Sequence, residues 1–247
     1  MELRDREAAE LEFWRRTVGE ESDADALTTL VLKLGEAEWF LPKLRHWHAV
    51  FEEAGTALEI GAGEAWTAAM VKRAFPGLEV LASDLSPEAI ALAPRWKDVF
   101  GAVPDRTFAC ASYEIPLEDG SVGLVYAFQA AHHFGAHRRT LSELQRVLRP
   151  GGHVLYLHEP SCPPRLHEMA KRRANRKRPE VPEDVLVHSE LCDLAREQGF
   201  EASVRFDPDP LNRRPGQTLY YLALQRMPFL WSRVPCTADY LFTKAAA

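Results

Sequence analysis

The chain carries only four cysteines, Cys110, Cys162, Cys192 and Cys236, and no two of them form a C-x-x-C pair. That scarcity argues against a disulfide framework and against a cysteine-built zinc site, and four reduced thiols are expected. No run approaches the roughly 18 uninterrupted apolar residues that a membrane span needs. The opening segment, MELRDREAAELEFW, is charged where a secretory leader is apolar, so a cytoplasmic protein with no membrane partner is expected. An excess of basic residues is missing too: 30 Lys and Arg stand against 36 Asp and Glu, for a formal net charge of -6. Binding along a nucleic-acid backbone wants a basic face, and this balance argues against it.

What is present is apolar material. With 46% hydrophobic residues in 247, the chain can bury one core and a small cap. Residues 1–52 read as a helical cap or lid, because Leu27, Leu30, Val31 and Leu34 recur at helical spacing before the aromatic residues Trp39, Phe40, Trp47 and Phe51. From residue 57 the pattern becomes short apolar runs alternating with amphipathic segments, the signature of a parallel sheet with crossover helices. Strands are expected near 57–60, 79–83, 106–110, 122–127 and 153–158. Ser86 and Pro87 can cap and open a helix over 88–98. Leu141, Leu144, Val147 and Leu148 mark the buried stripe of another helix, stopped by Pro150-Gly151-Gly152. A helix over 189–198 and strands near 200–206 and 217–224 complete the reading. The fold class is thus α/β, a Rossmann-like, seven-stranded, mostly parallel sheet with helices on both faces. The main domain spans 53–247 and includes an acceptor-binding insertion at about 160–185.

The segment ALEIGAGEAWTAAM runs from an apolar strand through Gly61-Ala62-Gly63 into a helix. Glycine there permits a sharp turn and lets a ligand approach the main chain. A dinucleotide fingerprint wants a third glycine where Trp66 stands. Glu59 ends the strand beside the loop, and its charge would repel a pyrophosphate while suiting a ligand that carries an ammonium and a sulfonium. The next strand ends in Val80-Leu81-Ala82-Ser83-Asp84, which puts an acid at its carboxyl end to accept ribose hydroxyls.

Four motifs follow one another in order: LEIGAG, LASDLSPEAI, SYEIPLEDGSVGLVYAFQAAHHF and LSELQRVLRPGGHVLYLHEP. Over about 57–159 the chain resembles the class I S-adenosylmethionine-dependent methyltransferases, in particular the small-molecule branch with an E-x-G-x-G loop. The resemblance implies S-adenosylmethionine as cofactor. It puts Glu59, Gly61, Ala62 and Gly63 at the methionine end, Asp84 on the ribose, Leu85 against the adenine, and Ser112 and Tyr113 on the adenine's other side. Two positions depart from the family pattern. Ala111 replaces an aspartate common near the adenine amino group, and Gly123 stands where D-G-S-F-D supplies its last acid.

Methyl transfer is an in-line displacement, so the enzyme aligns a nucleophile and, where needed, removes its proton; no metal is required. Residues 127–134, AFQAAHHF, emerge at the carboxyl edge of the sheet. Phe128 is expected beside the cofactor and Gln129 beside the acceptor, with His132 and His133 as candidate catalytic bases, although either imidazole could equally pack under the next helix. His158 and Glu159 end the fifth strand at the same edge as candidate acceptor contacts. The basic segment 165–178, RLHEMAKRRANRKR, with Arg172 as its candidate contact, could hold an anionic acceptor, touch RNA, or form a solvated surface. The expected activity is methylation of a small-molecule acceptor, at oxygen by family base rate, by a monomer or homodimer. The rivals are an RNA or protein methyltransferase using the basic segment, and a protein that binds S-adenosylmethionine without transferring methyl.

Overall fold

The computed structural model describes residues 3–19, 23–176 and 183–246. Ten helices and eight strands are found among them: α1 Leu3–Gly19, α2 Asp23–His46, α3 His48–Glu52, β1 Thr56–Ile60, α4 Trp66–Ala74, β2 Glu79–Asp84, α5 Pro87–Ile90, α6 Lys97–Phe100, β3 Arg106–Ala109, β4 Val122–Phe128, α7 His137–Val147, β5 Leu148–Cys162, α8 His167–Asn175, β6 Leu186–Val187, α9 His188–Glu197, β7 Phe200–Phe206, α10 Pro215–Gln225 and β8 Cys236–Lys244.

One sheet runs in the order β3-β2-β1-β4-β5-β8-β7, with the short β6 pairing β5. β1 to β5 are mutually parallel and β8 runs antiparallel to both its neighbours. β4 is buried at all seven positions, as expected of a central strand covered on both faces. On one face Phe40, Phe51, Trp66, Val71 and Trp96 pack together with Leu124 and Tyr126. On the other face Leu141, Leu144, Leu191 and Ala195 pack with Val125 and Tyr156. Strand order reverses between β1 and β4, and in such sheets ligands bind outside the carboxyl ends at this point.

The N-terminal helices form as expected, but the Leu27, Val31, Leu34 stripe faces outward, with Leu27 61% exposed. It is the C-terminal half of α2 that reaches the core, through Ala37, Phe40 and Leu44. Buried Lys43 on the same half ion-pairs with Asp207 and, at 2.9 Å, with fully buried Asp239 of β8.

Two further differences have local causes. The helix expected over 88–98 breaks into α5, a 3-10 turn at Ala93–Trp96 and α6, because Pro94 cannot continue an α-helical hydrogen-bond ladder. Ser86 does cap α5, accepting the Ala89 N–H at 3.1 Å. Residues 217–224 belong to helix α10 rather than a strand: Pro215 opens it, and Tyr221 and Leu224 bury one face at helical spacing. The last strand is instead β8, from the apolar C-terminal segment. Finally, a Cβ on Gly123 would lie 1.9 Å from the Ala54 carbonyl oxygen, so a side chain at this position cannot be accommodated.

Candidate active site

A cavity of about 1400 Å³ opens at the β1/β4 reversal point. Its floor at one end is the loop after β1. Gly61 takes φ +65°, and a Cβ there would meet Ala130 Cβ at 2.8 Å, so the loop closes against the turn after β4 only with glycine. Asp84, at the end of β2, accepts the Gly63 N–H at 2.7 Å and the Ser86 N–H at 2.8 Å. These two bonds hold the carboxylate at the cavity wall, although burial raises its pKa. Gly61, Ala62, Gly63, Asp84, Leu85, Ser112, Tyr113 and Phe128 all line this cavity, so the structure gathers in one place residues that the sequence spreads from Gly61 to Phe128.

Glu59 is the exception. Its side chain lies beneath the loop, off the cavity wall, accepting hydrogen bonds from Thr67 and, at 3.2 Å, from the Tyr126 hydroxyl. Burial pushes its pKa up to about 8, so at neutral pH it is largely protonated and joins β1 to α4 and β4. The acids that line the wall at this end are Asp84 and Glu10, together with Glu64, which pairs with Arg95 at 3.6 Å. Asp84 and Glu10 therefore stand in the place expected of Glu59.

Helix α1 covers the mouth. Trp14 lies over Gly63, whose added Cβ would contact the indole at 3.4 Å. The Tyr113 hydroxyl donates to Glu7 at 2.5 Å, and the Arg139 guanidinium stacks on the Tyr113 ring, 3.9 Å from its centroid. Burial, and then the nearby Asp84 charge, raise the pKa of Glu10.

At the other end of the cavity the turn after β4 is held by Glu159. This carboxylate is 0% exposed, and it accepts the N–H groups of Ala130 and Ala131 at 2.9 Å each and of His132 at 3.2 Å. It also accepts His132 Nδ1–H at 2.8 Å. His132 and His133 both line the cavity, their ring centroids 4.2 Å apart. With the proton held on Nδ1, His132 keeps the lone pair of Nε2 for a proton donor.

His158 and Glu159, adjacent in sequence, separate in role. A bulge in the β5/β8 pairing and a left-handed φ of +57° at His158 turn its ring onto the cavity, while Glu159 stays off the lining. The His158 ring stacks on Trp39 at 4.8 Å and 15°, and the His158 main-chain N–H donates to Asp239 at 3.0 Å. Burial, aided by the charges of Lys43 and Arg213, holds its pKa well below the usual value, so the ring is neutral. Gln129 lines the cavity beside it, also with left-handed φ, at +51°.

Arg172 on α8 is exposed and off the lining, whereas its neighbour Arg173 lies on it. Residues 177 and 178 of the basic segment lie outside the described residues. His167 and Lys171 of the same segment both reach Asp184, which partly neutralises it. The sequence reading missed Glu10 and Arg213 on the wall; the alternation of charge in α1 and in residues 205–214 carries no pattern that marks them.

A parallel sheet reversing at β1/β4, a glycine loop backed by Asp84 and an antiparallel β8 between β5 and β7 match the Rossmann-like methyltransferase architecture. Residues 58–156 match the family described as methyltransferase domain. Over 106 residues the chain is 31% identical to the demethylmenaquinone methyltransferase of Thermus thermophilus, covering 43% of this chain and 48% of that protein. Over 99 residues it is 31% identical to the malonyl-[acyl-carrier protein] O-methyltransferase of Hahella chejuensis, covering 40% and 34%. The phosphoethanolamine N-methyltransferase 2 of Haemonchus contortus, solved with S-adenosyl-L-methionine, shares the fold with a TM-score of 0.58 at 16% identity, over 78% of this chain and 49% of that one. The chain thus spans about half or less of the length of these relatives. Residues 58–156 thus carry a methyltransferase domain similar to that of the S-adenosylmethionine-dependent methyltransferases.

Proposed function

We propose that the protein transfers a methyl group from S-adenosylmethionine to an oxygen nucleophile of a small molecule, with His132 as the general base and Glu159 as its positioning residue. The observation that carries this reading is the His132–Glu159 pair, 2.8 Å apart, in which the buried Glu159 holds the His132 ring on the wall of the cavity that Asp84 also lines.

The residues at the β1 end suit the cofactor. The glycine loop leaves main chain open to the ligand, and Asp84 presents a carboxylate to ribose hydroxyls. Glu10 adds an acidic group that suits a sulfonium and an ammonium. Leu85, Ser112 and Tyr113 would hold the adenine, with the Tyr113 ring and the hydroxyl of Ser112 in place of the acid that Ala111 lacks. When bound, S-adenosylmethionine supplies an electrophilic methyl carbon on a positively charged sulfur.

The chain's own work is alignment and deprotonation. Trp14 and the Glu7–Tyr113 bond hold α1 over the mouth and exclude water from the donor. Glu159 orients the His132 ring and stabilises the imidazolium formed when Nε2 takes the acceptor's proton. Neutral His158 and Gln129 provide hydrogen-bonding nitrogen to orient the acceptor.

The test is transfer of a radiolabelled methyl from S-adenosylmethionine into a panel of phenols, carboxylic acids and amines, with His132→Gln alongside. Label in an oxygen ester or ether, lost by roughly a hundredfold or more in the variant, supports the reading. Label entering amines alone, or transfer insensitive to the substitution, contradicts it.

A further inference from the structure

Four side chains make a continuous stack along the acceptor end of the cavity. The Arg213 guanidinium carbon lies 3.7 Å from the Tyr221 ring centroid and 5.6 Å from that of Trp39, and Trp39 in turn stacks on His158. Arg213 stands in the loop before α10, its Nε donating to the Asp209 carbonyl. Two aromatic rings and one main-chain bond thus fix the plane of a guanidinium.

Fixed in this way, Arg213 leaves Nη2 buried with no hydrogen-bond partner among the described residues. Two more buried nitrogens, on residues that line the same cavity, share that condition, Gln129 Nε2 and Nδ1 of His158, a side chain 3% exposed. An unmet buried donor costs about 1–3 kcal/mol, and such groups in a cavity wall are where a ligand's oxygens are recognised. The cavity's carboxylates do not serve Arg213. Glu7 takes the Tyr113 hydroxyl, Glu36 pairs with Lys33 at 2.9 Å and Glu64 with Arg95 at 3.6 Å. Arg213 makes no ion pair among the described residues.

We propose that Arg213 and Gln129 form a carboxylate-binding subsite, so that the acceptor is an organic acid anchored by its carboxylate. The inference rests on reading this end of the cavity as the acceptor end. One charged N–H and one amide N–H offer two donors and a single positive charge, which match the two oxygens and single charge of a carboxylate. A phosphate dianion calls for more of both. The apolar part of the acid would lie against Leu166, Met169, Ala170 and Val234, which line the same cavity.

The experiment titrates the protein, saturated with S-adenosylhomocysteine, with benzoate, phenylacetate and phenylpropionate, with their primary amides, and with phenyl phosphate. Calorimetry and tryptophan fluorescence, the latter sensitive to Trp39, are read together. At least one acid is expected to bind roughly tenfold or more tightly than its amide and than phenyl phosphate. Arg213→Gln should erase that preference and Arg213→Lys should keep part of it, with S-adenosylhomocysteine binding unchanged in both. Gln129→Leu, which leaves the Arg213 stack intact, should also narrow the preference. Equal binding of acid and amide, an undiminished preference in Arg213→Gln, tighter binding of phenyl phosphate, or no binding of any acid would overturn the proposal. A wild-type protein that fails to bind S-adenosylhomocysteine would sink the methyltransferase reading, while the acid-to-amide comparison on the free protein would still decide the subsite.

Discussion

Glu159 and His132 are joined twice, once through the imidazole Nδ1 at 2.8 Å and once through the His132 main-chain N–H at 3.2 Å. The same carboxylate therefore shapes the turn after β4 and sets the tautomer of the ring that the turn carries. Replacing Glu159 by Gln keeps its size but puts an amide where acceptors are needed. Methyl transfer should fall by roughly a hundredfold, in line with the usual worth of a general base, while S-adenosylhomocysteine affinity stays within a few-fold. Single-turnover transfer and calorimetry on the same preparation check both halves.

Glu59 gives a prediction about pH. Its pKa rises from 4.5 to about 8 on folding because it is buried. Between these values the unfolded chain releases a proton that the folded chain retains, so this group's contribution is fully present below 4.5 and is lost as pH rises towards 8. In Glu59→Gln nothing ionises at this position. Thermal melts across that window should show the wild type losing stability with rising pH faster than the variant, and parallel curves would contradict the assignment.

Buried Lys43 is shared by Asp207 and Asp239. Lys43→Met would leave Asp239, itself 0% exposed, with Arg205 at 3.1 Å as its remaining ion-pair partner among the described residues. Breaking such a pair costs about 3–5 kcal/mol, far more than the surface pair Arg138–Glu197 should when cut. Urea unfolding of the two variants side by side measures the difference.

The lid makes a kinetic prediction. Tyr113→Phe removes the hydroxyl that donates to Glu7 and leaves the ring under Arg139. Loss of one hydrogen bond of about 0.5–1.5 kcal/mol should speed S-adenosylhomocysteine release roughly two- to tenfold. Stopped-flow displacement reads that rate directly, and an unchanged rate would detach α1 from cofactor exchange.

The β1–β5 half of the fold was legible because its signals are local: apolar runs long enough for strands, a glycine loop between β1 and α4, and Asp84 at a strand end. The C-terminal part was less so. Residues 217–224 are rich in Tyr and Leu, which suit strand and helix alike, and Pro215 two residues earlier decides for the helix. Glu59 was read as a cavity residue because strand alternation alone does not say which side of a closing loop an acid takes; Thr67 and Tyr126, distant in sequence, draw it underneath. Arg213 was invisible for a related reason. Its place depends on Trp39 and Tyr221, brought together by α2 and α10.

The most direct measurement is a calorimetric titration with S-adenosylmethionine, with Asp84→Asn run in parallel and thermal melts confirming that both proteins are folded. The account predicts a Kd in the region of about 1 μM, or roughly -8 kcal/mol, for the wild type, weakened tenfold or more in the variant, which cannot offer a charged acceptor to the ribose. A folded wild-type protein that takes up no S-adenosylmethionine would contradict the account at its root.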